Sequence, residues 1–167
     1  MRSSRLRAIA IVTVMITSGE RALCQQSAAS VVHPELHADV IQGSATLVHG
    51  GVGLNAAIGT YARLGAVLAL GARVDDGAGA NRWGTGRLDI FGRFLLDPLR
   101  SSRWGLSGGG GVSVLAIPGE RTRPYLLALL ELEGPRSAGG ASPIVGLGLG
   151  GGLRLGGGVR WGSAERR

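Results

Sequence analysis

Residues 61–74 read YARLGAVLALGARV, and apolar side chains recur there at every second position. Ala62, Leu64, Ala66, Leu68, Leu70, Ala72 and Val74 form one row. Tyr61, Arg63, Gly65, Val67, Ala69, Gly71 and Arg73 form the other. A period of two belongs to a β-strand, whose successive side chains point to opposite faces. The run is more than twice the ~5–6 residues usual for a soluble strand, and its first row carries no polar group. A chain containing it must cover a long apolar row and pair every backbone group along it.

The alternation recurs to the end of the chain, giving six clear strands. Residues 44–58 place Thr46, Val48, Val52, Leu54, Ala56 and Ile58 on one face, with Gly51, Gly53, Asn55 and Ala57 on the other. The run 61–74 follows a tight Gly59-Thr60 connection, and DDGAGAN (75–81) is rich in turn residues. Residues 82–96 set Leu88, Ile90, Phe94 and Leu96 against Thr85, Arg87, Asp89, Phe91 and Arg93. Residues 104–117 set Trp104, Leu106, Val112, Val114 and Ala116 against a row of glycine and serine. Residues 124–133 turn Leu126, Ala128, Leu130 and Leu132 one way and Glu131 and Glu133 the other. The last stretch, 144–161, carries Val145, Leu147, Leu149, Leu153, Leu155, Val159 and Trp161 opposite Gly146, Gly148, Gly150, Gly152, Arg154, Gly158 and Arg160. Two further strands would come from 36–42 and from a fold at Gly150–Gly152, bringing the number to eight. The unbroken parity of 144–161 favours a single strand.

The N-terminus has the form of a signal peptide over residues 1–24: a basic start (Arg2, Arg5, Arg7), a short apolar run (Ala8–Thr17), and Ala22 and Cys24 before Gln25. The apolar run is too short to span a bilayer as a helix. Residues 25–43 read as a polar lead-in, 44–161 as the folded domain and 162–167 as a charged tail. The chain has 18 arginines, no lysine and a net charge of +7, which falls to +4 without residues 1–24. Part of the basic balance therefore belongs to the signal, and charge does not argue for a nucleic-acid partner. Without Cys24 no cysteine remains, so neither a disulfide framework nor thiol chemistry is available.

In hydrocarbon each backbone polar group must be paired within the protein, so a sheet spans a membrane only when it closes. Strands of ~14 residues at ~3.3 Å each, tilted by about 45°, reach roughly 33 Å. An arginine facing lipid costs ~2–4 kcal/mol at mid-depth, and the rows assigned outward contain none. The pattern thus predicts an all-β fold, an antiparallel up-and-down transmembrane β-barrel. Its inward rows collect Arg63, Arg73, Arg87, Asp89, Arg93, Glu131, Glu133, Arg154 and Arg160. A small barrel is filled by side chains, and a lone buried charge is very costly. These groups are expected to pair across the lumen, with Glu131 and Glu133 as partners for Arg63, Arg87, Arg93 and Arg154. By parity only Trp104 and Trp161 among the tryptophans and tyrosines point outward.

The segment Arg154-Leu155-Gly156-Gly157-Gly158-Val159-Arg160-Trp161 resembles the C-terminal assembly signal of bacterial outer-membrane barrels, in which a polar residue, a glycine, a hydrophobic residue and a terminal aromatic recur at this spacing. Here Arg154, Gly156, Val159 and Trp161 hold those positions. The chain departs from the pattern in the GSAERR tail that follows the aromatic. The resemblance implies recognition by the outer-membrane insertion machinery, residence in the bacterial outer membrane after export, and contact with its lipid, including lipopolysaccharide. The loop arginines Arg100, Arg103 and Arg136 are candidates for contacts with lipopolysaccharide phosphates.

Other motifs carry less. Gly51-x-Gly53-x-x-Ala56 with Asp75 downstream matches a loose dinucleotide fingerprint, which needs a helix where this chain alternates. His33 and His37 flank Pro34 and lack an evident third ligand, so no metal or cofactor is expected. Barrel enzymes use a histidine with serine or aspartate, and no histidine follows His49. The expected role is non-enzymatic: structure, adhesion or surface interaction. The alternative from another class is a soluble secreted or periplasmic β-sandwich or barrel that binds a small apolar ligand.

Overall fold

The computed structural model describes residues 32–74, 82–98 and 102–162. The expected signal peptide (1–24), the first part of the expected lead-in, residues 75–81, Arg100 and most of the expected charged tail lie outside them. The described residues form eight antiparallel strands closed into one barrel in sequence order. The strands are β1 (Val32–Gln42), β2 (Thr46–Ile58), β3 (Ala62–Val74), β4 (Arg82–Leu95), β5 (Gly105–Ala116), β6 (Arg123–Glu133), β7 (Ala141–Leu149) and β8 (Leu153–Trp161).

The strands beyond the six clear ones come from the two segments that offered them, 36–42 and the fold at Gly150–Gly152, so the number is eight. Most of the segment 25–43, expected as a polar lead-in, is β1, so the barrel begins at Val32 and not at residue 44. Residues 33–41 alternate His33, Glu35, His37, Asp39 and Ile41 with Pro34, Leu36, Ala38 and Val40. The polar half of that alternation faces inward. The stretch 144–161 is a hairpin, with Leu149 opposite Leu153. Its turn is three residues long, Gly150–Gly152, and Gly151 has φ 79°, which glycine adopts without strain. A three-residue turn leaves the two flanking residues four apart, so the outward row continues in phase through the reversal. Parity alone cannot detect such a turn.

Neighbouring pairs can be followed once around the barrel. Val32 lies opposite Ala56, then come Leu64, Gly92, Gly110, Ala128, Leu149 and Leu153, and the path returns to β1 at Gln42. It has climbed ten residues along β1, from Val32 to Gln42. For eight strands this stagger corresponds to a tilt of about 45° and an interior just wide enough to be filled by side chains. The even strand number brings both ends of the barrel, Val32 and Trp161, to the same rim. The connections 59–61 and 134–140, with residues 96–98 and 102–104, share that rim.

One ladder is irregular. Gly71 pairs with Thr85 and Ala72 with Trp83, so Gly84 is an extra residue in β4. Its φ of 103° suits a bulge carried by glycine. Ala72, placed in the outward row by alternation, is buried at this break.

The distribution of polarity is inverted relative to a water-soluble core. Among the described residues the buried set contains nine hydrophobic and fourteen polar or charged residues. Each strand's outward row carries exposed large apolar side chains, such as Leu36, Val52, Leu68, Ile90, Val112, Leu130, Leu147 and Leu155, while Val114 and Val159 are half-buried.

Candidate functional site

The lumen is built from the inward rows, and its charged side chains form two groups. The first lies toward the rim that carries the chain ends. Arg160 reaches Glu35 at 2.9 Å, Glu133 at 2.6 Å and Glu131 at 3.2 Å. Arg93 reaches Glu131 at 2.8 Å and Glu35 at 3.2 Å, and its Nη1 donates to Asn55 Oδ1. Arg63 closes the group on Glu133 at 3.2 Å. The second group lies toward the opposite rim. Arg87 binds Asp39 at 2.6 Å and Asp89 at 3.0 Å, and Arg154 binds Asp89 at 2.8 Å with Asp39 at 3.7 Å.

Both groups are neutral as sets. Glu35, Glu131 and Glu133 balance Arg63, Arg93 and Arg160; Asp39 and Asp89 balance Arg87 and Arg154. Burial makes this balance necessary, because an unpaired charge in the lumen would carry the full desolvation penalty. Two apolar clusters separate and cap the groups. Val67, Ala69, Phe91 and Leu127 pack between them, with the Arg93 guanidinium 4.3 Å from the Phe91 ring centre. Ile41, Leu47 and Leu115, backed by Ile117 and Tyr125, fill the lumen at the rim away from the chain ends.

The pairing differs from the sequence expectation in its partners. Glu131 and Glu133 do take Arg93 and Arg63, but they also take Arg160, while Arg87 and Arg154 pair with aspartates instead. Distance along the barrel axis decides this, since β6 carries its glutamates at the chain-end rim. Arg73 does not reach the packed interior. It pairs with Glu120 of the β5–β6 connection at 3.2 Å, where both side chains are partly exposed. The expected inward rows held six arginines and only three acids. The three missing negative charges are supplied by Glu35, Asp39 and Glu120, and that deficit was the signal that a further acidic strand belonged to the barrel.

His49, Thr85 and Asp39 also face inward. Thr85 Oγ1 and His49 Nε2 are 3.2 Å apart, and His49 Nδ1 lies 3.8 Å from Asp39. The order hydroxyl, imidazole, carboxylate is that of a nucleophile with its base, but Thr85 and His49 are 0% and 1% exposed and Asp39 is held by Arg87. A reacting carbonyl has no approach to that hydroxyl. His37 points inward onto Glu35 at 2.9 Å.

Arg154, Gly156, Val159 and Trp161, the positions expected to form an assembly signal, all fall in β8, the strand that closes on β1. Arg154 is buried in the second group, and Trp161 is exposed at the chain-end rim. The loop arginines Arg103 and Arg136 are exposed at that same rim. Exposed aromatic residues gather there as well: Tyr61 and Phe94, stacked with ring centres 6.0 Å apart, and Trp104 and Trp161. No known family model matches the chain, and no curated protein matches it.

Proposed function

We propose that this chain is a small bacterial outer-membrane β-barrel, exported by its N-terminal signal, with a non-enzymatic structural, adhesion or surface-interaction role. The observation that carries the reading is the inverted barrel itself: a continuous exposed apolar exterior around a charge-balanced interior. A water-soluble monomer rarely exposes an apolar patch above a few hundred Å², whereas this exterior is apolar on all eight strands. On β2 the exposed apolar row runs from Val48 to Ile58. That is about 33 Å of strand and, tilted near 45°, about 23 Å along the barrel axis, close to the ~25 Å apolar band of outer-membrane barrels. The aromatic set at the chain-end rim fits an interfacial belt.

In this reading β8, with Arg154, Gly156, Val159 and Trp161, is the strand offered to the insertion machinery. Arg103 and Arg136 would meet lipopolysaccharide phosphates only if the chain-end rim faces outward. An epitope inserted at 134–140 and probed on intact cells decides that orientation.

The deciding experiment uses the chain from Gln25 onward. A detergent requirement for monodispersity, together with different gel migration of boiled and unboiled samples in SDS, supports the reading. A folded, monodisperse protein in plain buffer overturns it and favours the soluble ligand-binding barrel.

A further inference from the structure

A cavity of about 50 Å³ is lined from the lumen side by residues of both ion-pair groups and from the outer row by Val145 and Leu147. One wall is bare backbone, because β7 and β8 contribute Gly146, Gly148 and Gly156 there. Val67 and Leu129 are among its apolar lining residues, and Asp89, Arg93 and Arg154 are among its charged ones. Each of these three residues has one side-chain atom buried without a hydrogen-bond partner among the described residues: Asp89 Oδ1, Arg93 Nε and Arg154 Nη1. Each belongs to a residue at least nine-tenths buried. Leaving such a group unsatisfied costs ~1–3 kcal/mol, and more when it is charged. The set asks for an occupant that both donates and accepts.

Charge narrows the class of that occupant. Both ion-pair groups are already neutral, so an ionic ligand would be buried without a counter-charge. Size narrows it further, since a water needs about 10–15 Å³ of such volume and the space suits about four. We propose that this cavity is a hydration site, in which a cluster of about four waters donates to Asp89 and accepts from Arg93 and Arg154, linking the two ion-pair groups through solvent. The proposal rests on the barrel and its lumen, and not on where the barrel resides.

The test is nuclear magnetic resonance on the full chain from Gln25, folded in deuterated detergent or in buffer. Water cross-relaxation is measured at the Arg93 Nε–H and at the amides of Gly146, Gly148 and Gly156. Persistent water cross-peaks at these protons are expected, and their loss is expected in Val67→Phe, which fills the space. Leu129→Phe serves as a second filling variant, and each is first checked for barrel-like gel migration. Absence of the cross-peaks in the parent chain overturns the proposal. So does their persistence in a folded filling variant, or cross-peaks at those sites from carbon-bound protons of a solute.

Discussion

Glu35 and Arg160 are direct cross-strand partners in the ladder that joins the first strand to the last, and Arg160 Nε donates to Glu35 Oε2 at 2.9 Å. The residue pair that shuts the barrel thus also starts the larger lumen network. Glu35 is shared with Arg93 as well. Glu35→Gln leaves two buried guanidiniums short of charge and should cost ~3–5 kcal/mol. The double variant Glu35→Gln, Arg160→Gln should cost less than the two single losses added together, by 1 kcal/mol or more. Denaturant titration followed by tryptophan fluorescence measures this; strict additivity would show the pair to be uncoupled.

Glycines on the two faces of the wall should respond oppositely. A Cβ on Gly158 would run into the Leu36 carbonyl oxygen across the closing seam, whereas one on Gly92 meets nothing within 4 Å. Gly158→Val should prevent closure and abolish the heat-dependent gel shift. Gly92→Ala should stay within ~0.5 kcal/mol of the parent, as surface substitutions away from special features do.

Leu68 is 57% exposed near the middle of the outer face. With the barrel in a bilayer, Leu68→Arg should cost ~2–4 kcal/mol. A protein that resides in water should tolerate the same change with little loss. Refolding equilibria in lipid vesicles separate the two outcomes.

Trp161 ends β8 opposite Ala141. Under the outer-membrane reading, Trp161→Ala should lower the yield of inserted barrel in cells several-fold, while removal of residues 163–167 should leave it near the parent level. Loss on removal of the tail, with Trp161→Ala near the parent level, would tie recognition to the tail and not to the aromatic.

Much of this architecture was legible because a period of two cannot hide. Once Leu64, Leu68 and Leu70 are assigned outward, Arg63 and Val67 must face in, and the same logic placed Arg87, Asp89, Arg93 and Glu131 in the lumen. Pairing was less legible, since sequence gives a residue's face but not its height. Face alone matches Arg87 to glutamates that sit at the far end of the lumen, and only the stagger places Asp39 within its reach. The lead-in concealed β1 because Pro34 and two histidines made a strand look like a polar linker. Pro34 points outward there, on a strand whose ladders with β2 and β8 are otherwise continuous. The β7–β8 turn was concealed by its own length, which keeps the alternation in step.

The two ends of the barrel, Val32 and Trp161, lie on one rim, on strands already paired with each other. The order of the eight strands in the chain is therefore separable from their order in the wall. Joining residue 161 to residue 32 by a short linker and opening the chain between Gly43 and Ala45 would make β2 the first strand and β1 the last, with the same neighbours and the same lumen. Whatever reads the terminal strand during assembly would then meet Glu35 and Asp39 in place of Arg154 and Arg160.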